Sequence, residues 1–73
     1  MTKALKKLDR IRNSHGRNVS LEDFETIVRS YGHIEEGGKH PKAIIGCHTL
    51  PYKRENPVKS AYVLELLEIV DSL

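Results

Sequence analysis

The sequence predicts an α+β fold: a small antiparallel three-stranded sheet with helices packed on one face, preceded by an N-terminal helix. Three observations lead there. Apolar residues recur at helical spacing in residues 3–12, in 21–31 and again from about 59 onward. Between them lie three short β-type runs, punctuated by Gly37-Gly38 and Gly46-Cys47. Finally, a chain of 73 residues buries only about 60% of the surface it exposes when unfolded, so all elements must share one core. Strands backed by helices are the economical way to do so.

The elements follow in order. Leu5, Leu8 and Ile11 lie three apart with basic residues on the opposite face, which describes a short amphipathic helix. Residues 13–18 read as a loop around Gly16. The next helix carries the strongest local signals. Ser20 is a good N-cap, Asp23 stands where a capping box needs its acid, and Val19 and Phe24 occupy the two staple positions. Leu21, Phe24, Ile27, Val28 and Tyr31 form its apolar stripe, and Gly32 reads as a left-handed stop. His33 to Glu36, Lys42 to Ile45 and His48 to Leu50 read as strands, the last two joined by a two-residue hairpin. Pro51 belongs at a strand end or edge because it has no N–H to donate. Asn56-Pro57 reads as the start of the last helix, whose stripe is Tyr62, Val63, Leu66, Ile69, Val70 and Leu73. The expected organisation is one domain over 1–73, with residues 1–17 as a helical extension and 18–73 as the core.

Composition excludes several classes. Cys47 is the single cysteine, so no internal disulfide exists; it reads as a small apolar residue in or near a strand. No run approaches the 18 or so apolar residues of a membrane span, and the basic N-terminus is followed by no signal-peptide core. A cytoplasmic protein is expected. The net charge is +2, but the charges are segregated. Lys3, Lys6, Lys7, Arg10, Arg12 and Arg17 stand against Asp9 in residues 1–17, and Lys39, Lys42, Lys53, Arg54 and Lys59 against Glu55 in 38–60. Such segments suit either phosphate binding or solvated pairing with acidic helices.

Of the four histidines, His15, His33, His40 and His48, only His40 has a suggestive neighbourhood. It follows Gly37-Gly38-Lys39 and precedes Pro41-Lys42, placing an imidazole between two cations on a glycine turn. A base for a 2′-hydroxyl and cations for a phosphate are the parts that RNA cleavage requires. A zinc site built from His33, His40, Cys47 and His48 matches no zinc spacing, and neighbouring Cys47 and His48 would face opposite sides of a strand. No metal is expected. There is no nucleotide-binding loop, dinucleotide fingerprint or nucleophile elbow.

Across about residues 3–72 the chain resembles the HicA toxins, also called YcfA-like proteins. Asn18 to Phe24 is similar to the opening of that family's first core helix, and Tyr31-Gly32 to its end. Gly37-Gly38-Lys39-His40 resembles the family's glycine-rich turn, with His40 at the catalytic histidine. Thr49-Leu50-Pro51 resembles its third strand, and Pro57 to Val63 the approach to its last helix. Gly38 stands where serine or threonine is usual, Pro41 replaces an ordinary strand residue, and Tyr52-Lys53 stands where the family often has Arg-His. The resemblance implies a fold similar to a double-stranded RNA-binding domain. It also implies a metal-independent endoribonuclease acting on mRNA, needing no cofactor and held by a HicB-like antitoxin. His40 would be the acid/base, with Gly38, Lys39, Lys42, Lys53, Arg54 and Lys59 binding RNA. A non-catalytic RNA-binding module and a pure antitoxin-docking domain are the alternatives.

Overall fold

The computed structural model describes the backbone from Thr2 to Leu73 and the side chains from Lys6 onward. Its elements are α1 (Thr2–Asn13), α2 (Leu21–Tyr31), β1 (His33–Glu35), β2 (Lys42–Ile45), β3 (His48–Pro51) and α3 (Ser60–Asp71). The strands form one antiparallel sheet in the order β1-β2-β3. Helix α2 lies on β1 and β2, α3 lies on β3, and α1 packs against the other two helices. This is the α+β architecture that periodicity predicts.

Strand alternation sorts the sheet into two faces. Ala43, Ile45 and Leu50 point to the helices and are buried, while Lys42, Thr49 and Pro51 point away. Gly46 and Cys47 form the two-residue turn that sets Ile45 opposite His48. Gly46 takes a φ of +59°, as the first position of a II′ hairpin turn requires. Cys47 beside it is exposed, so it does no packing. Pro51 closes β3, an edge strand, where a missing N–H is harmless.

Helix α2 begins as its sequence signals predict. The Ser20 side chain accepts from the Asp23 N–H at 3.1 Å. The Asp23 carboxylate does not reach back, however; it pairs with Lys7 of α1 and so ties two helices together. Val19 and Phe24, the staple residues, both lie in the core. The end of α2 differs from expectation. Gly32 has a φ of −165°, which is extended and open to any residue, so it is no left-handed stop. Glycine is required there by space. A Cβ on Gly32 would lie 1.9 Å from the Ile44 carbonyl oxygen, because α2 turns directly into the sheet beneath strand β2.

The last helix also starts later than Asn56-Pro57 suggests. Helix α3 begins at Ser60, and the preceding residues form a bridge instead. The Val58 N–H donates to the Val19 carbonyl at 2.8 Å, and Asn56 Oδ1 accepts from the Leu21 N–H at 3.3 Å. Val63, Leu66, Leu67 and Ile69 of α3 are buried, Tyr62 and Val70 half-buried, and Leu73 exposed. Leu67 thus joins the predicted stripe and Leu73 leaves it.

One apolar cluster joins all the layers, and Leu8 and Ile11 of α1 belong to it. Burying such side chains stabilises by about 1.5–3 kcal/mol each, so the N-terminal helix is part of the core. Leu5, the third residue of the predicted stripe, lies outside the described side chains. Arg12 pairs with Asp71 across the α1–α3 contact. Among the described residues, no helix is long and apolar enough to cross a membrane.

Candidate nucleic-acid interface

Residues 36–41 link β1 to β2 and carry His40. The link stands clear of the fold. Gly37 and Gly38 take positive φ values of +154° and +66°, and a Cβ on either would meet no atom within 4 Å. Lys39 and His40 are exposed, and the chain returns to the core at Pro41, which is buried. The Pro41 carbonyl accepts from the Tyr52 N–H at 3.1 Å, extending the β2–β3 pairing by one step. His40, Lys39, Lys42 and Lys59 enter no ion pair among the described residues. Lys42 projects from the uncovered sheet face, opposite Glu35 and Pro51. Lys59 immediately precedes α3.

The other two basic candidates are engaged. Lys53 lies 3.4 Å from Glu55. Arg54 is held more firmly: its Nε donates to Glu25 Oε2 at 2.9 Å and its Nη1 to Glu36 Oε1 at 2.8 Å, with Nη2 on the second Glu36 oxygen. Glu25, on α2, is only 9% exposed and also accepts from the Tyr52 hydroxyl at 2.5 Å. Burial pushes the Glu25 carboxyl up, but the bonds from Tyr52 and Arg54 and the charges of Arg54 and Arg29 outweigh it. The carboxyl is therefore held below the usual glutamate range. Arg54 lowers Glu36 in the same way, and both carboxylates raise the guanidinium, Glu36 the more strongly. Burial, followed by the bond to Glu25, raises the Tyr52 phenol. Arg54 is thus neutralised by structural carboxylates, whereas the lysines flanking His40 remain open.

Tyr52→Phe is expected to cost about 1–3 kcal/mol, because it leaves a buried carboxylate short of a donor. Urea unfolding would measure the loss. A midpoint equal to the parent's would show that the phenol contributes nothing net.

The remaining histidines are placed elsewhere. His15 is exposed in the loop after α1, and His33 is exposed on β1, 3.7 Å from Glu35. His48 faces α3, where it lines a groove of about 300 Å³ with Glu65, Glu68 and Ser72. Its Nε2 lies 3.4 Å from Ser72 Oγ, but that hydroxyl donates to the Ile69 carbonyl at 2.7 Å. The hydroxyl proton is therefore directed away from the ring, which is the wrong polarity for activating a nucleophile. A second groove of about 380 Å³ lies between α1 and the start of α2, bordered by Arg10, Arg17 and Asp23. Neither groove includes His40. Among the described residues, no three His, Cys, Asp or Glu side chains are grouped to hold a metal ion.

No protein-family model, curated protein or solved structure matches this chain. Two members of the Glu25 network escape a reading by helical stripe and loop composition, yet each leaves a signal. Glu25 stands four residues after Leu21 and three before Val28, on the apolar side of α2. Tyr52 follows Leu50 by two, so strand alternation carries it to the inner face.

Proposed function

We propose that this chain is an RNA-cleaving protein of the HicA toxin kind, cytoplasmic and controlled by a HicB-like antitoxin. One observation carries the reading. The open β1–β2 link presents His40 between Lys39 and Lys42, all three exposed, while the nearby Lys53 and Arg54 are paired with carboxylates. A projecting link of this kind suits a polymer that lies across it, and neither of the two grooves described above includes His40. Lys39 and Lys42 would hold the phosphodiester, and Gly38 would let the backbone approach it. His40 would take the proton from the attacking 2′-hydroxyl, so no metal or cofactor is needed. Lys59, exposed at the start of α3, would add a further phosphate contact, while Lys53 and Arg54 would contribute less because their charge is partly answered. An antitoxin would cover the same link, its acids meeting these lysines.

A second reading, a module that binds RNA without cutting it, is favoured by one feature. Among the described residues, no second acid or base is paired with His40, so the leaving oxygen must take its proton from water or from the same ring. Incubating the purified protein with single-stranded RNA, with and without chelator, separates the two.

Both readings require binding that weakens with salt. Three open lysines imply about three phosphate contacts at about 0.7 each, so log affinity should fall with log salt at a slope near −2. Fluorescence anisotropy of a labelled oligonucleotide from low to moderate salt measures it. A flat response, or no binding at the lowest salt, would remove RNA as the partner.

A further inference from the structure

We propose that Tyr52 and Arg54 form a clasp that holds both stems of the His40 link, with Arg54 as a positioning residue for His40. The inference builds on the link as the functional element. The link leaves β1 at Glu36 and rejoins β2 through Pro41. One short segment grips both points. The Tyr52 N–H donates to the Pro41 carbonyl at 3.1 Å, and two residues later the Arg54 fork closes on both oxygens of Glu36.

The clasp is itself anchored in the core. Arg54 spends its third donor, Nε, on Glu25 Oε2 at 2.9 Å, and the Tyr52 hydroxyl reaches the same oxygen at 2.5 Å. The Tyr52 ring packs on Phe24, with centroids 4.9 Å apart, and both residues are almost fully buried. Glu36 is thereby tied through one planar guanidinium to the middle of α2. An isolated exposed ion pair would contribute little. Three directed bonds to two carboxylates, one of them buried, fix an orientation as well as a charge.

The link needs such an anchor. Gly37 and Gly38 sit in positive-φ conformations with no atom near them, so nothing within the link restricts its direction. Holding Glu36 on one side and Pro41 on the other leaves four residues between two fixed points, with His40 next to the second. This geometry is specific to arginine. Lysine would keep the charge but lack the fork and the Nε donor.

The full chain, Arg54→Lys and Glu36→Gln are compared by backbone ¹⁵N relaxation, without RNA. In the parent the amides of residues 37–40 should approach the order of rigid backbone, about 0.85, and in both variants they should fall toward about 0.6 or below. Amides of β3 and α3 should not change. Glu36→Gln guards against a folding defect, because Glu36 is exposed and its loss leaves the Tyr52–Glu25–Arg54 core contact in place. Equal order in parent and variants, or a parent link that is already mobile, would overturn the clasp. In the cleavage assay, Arg54→Lys should lower kcat by about 10- to 100-fold through misplacement of the reacting group, with KM within a few-fold of the parent. A rise in KM with kcat unchanged would make Arg54 a phosphate ligand and overturn the positioning role. If the parent neither binds nor cuts RNA, the functional reading falls, while the relaxation comparison still decides the clasp.

Discussion

His40→Ala is expected to reduce RNA cleavage by about 100- to 10,000-fold, the usual contribution of a positioned general acid or base. Toxicity in a host cell should fall with it. The fold should survive, because His40 is exposed and follows two glycines whose surroundings are empty. Its neighbour Pro41 anchors the link through a backbone carbonyl that the substitution leaves untouched. His33→Ala and His48→Ala are the controls. His33 lies on the uncovered sheet near Glu35, and His48 faces Ser72 of α3, so neither belongs to the link. Both variants should cut at nearly the parental rate, and a chelator should leave all three unchanged. RNA affinity should persist in His40→Ala, since the lysines remain. A folded His40→Ala protein that cuts as fast as its parent would end the catalytic assignment and leave the binding module in its place.

The largest effect on stability is expected from Gly32→Ala. Overpacking ordinarily costs about 1–3 kcal/mol where side chains can shift aside. Here the obstacle is the Ile44 carbonyl oxygen, 1.9 Å from the new Cβ, with the Ile44 carbonyl carbon at 2.9 Å. Neither can yield without separating β2 from the end of α2, and His33 pairs with Ile44 at the very next residue. The cost should therefore reach the upper end of that range or beyond. A core of this size rarely supplies more than about 3–5 kcal/mol in total, so the variant should be largely unfolded by circular dichroism at 37 °C. Gly38→Ala is the useful comparison. Its new Cβ meets nothing, and it bears only the left-handed strain of a φ of +66°, about 1–2 kcal/mol. If Gly32→Ala melts within a degree or two of the parent, the close approach of α2 to β2 is wrong.

Several features of this protein were settled by short-range chemistry and were legible without coordinates. Ser20 caps α2 because its hydroxyl reaches a backbone N–H three residues on. Gly46-Cys47 makes a hairpin because two residues join antiparallel strands when the first accepts a positive φ. The stripe of α2 and, apart from Leu67 and Leu73, that of α3 follow from the helical period, and with them the choice of an α+β fold. His40 was singled out locally too, by its neighbours Gly38, Lys39 and Lys42, and its role as a base remains a proposal that the His40→Ala comparison decides. What only the tertiary structure decided were interactions between distant residues. Arg54 meets Glu25 and Glu36 across sequence separations of 29 and 18, so whether it is a free phosphate ligand or a clasp depends on how the strands bring α2 and β1 beside it. Lys7 takes Asp23 from its own helix cap for the same reason. Gly32 shows the limit most clearly: a glycine after a helix reads as a left-handed stop, yet here the absent Cβ makes room for a carbonyl twelve residues away in the chain. Local rules register a residue's conformational freedom, whereas the space it must leave empty is set by the packing of the whole fold.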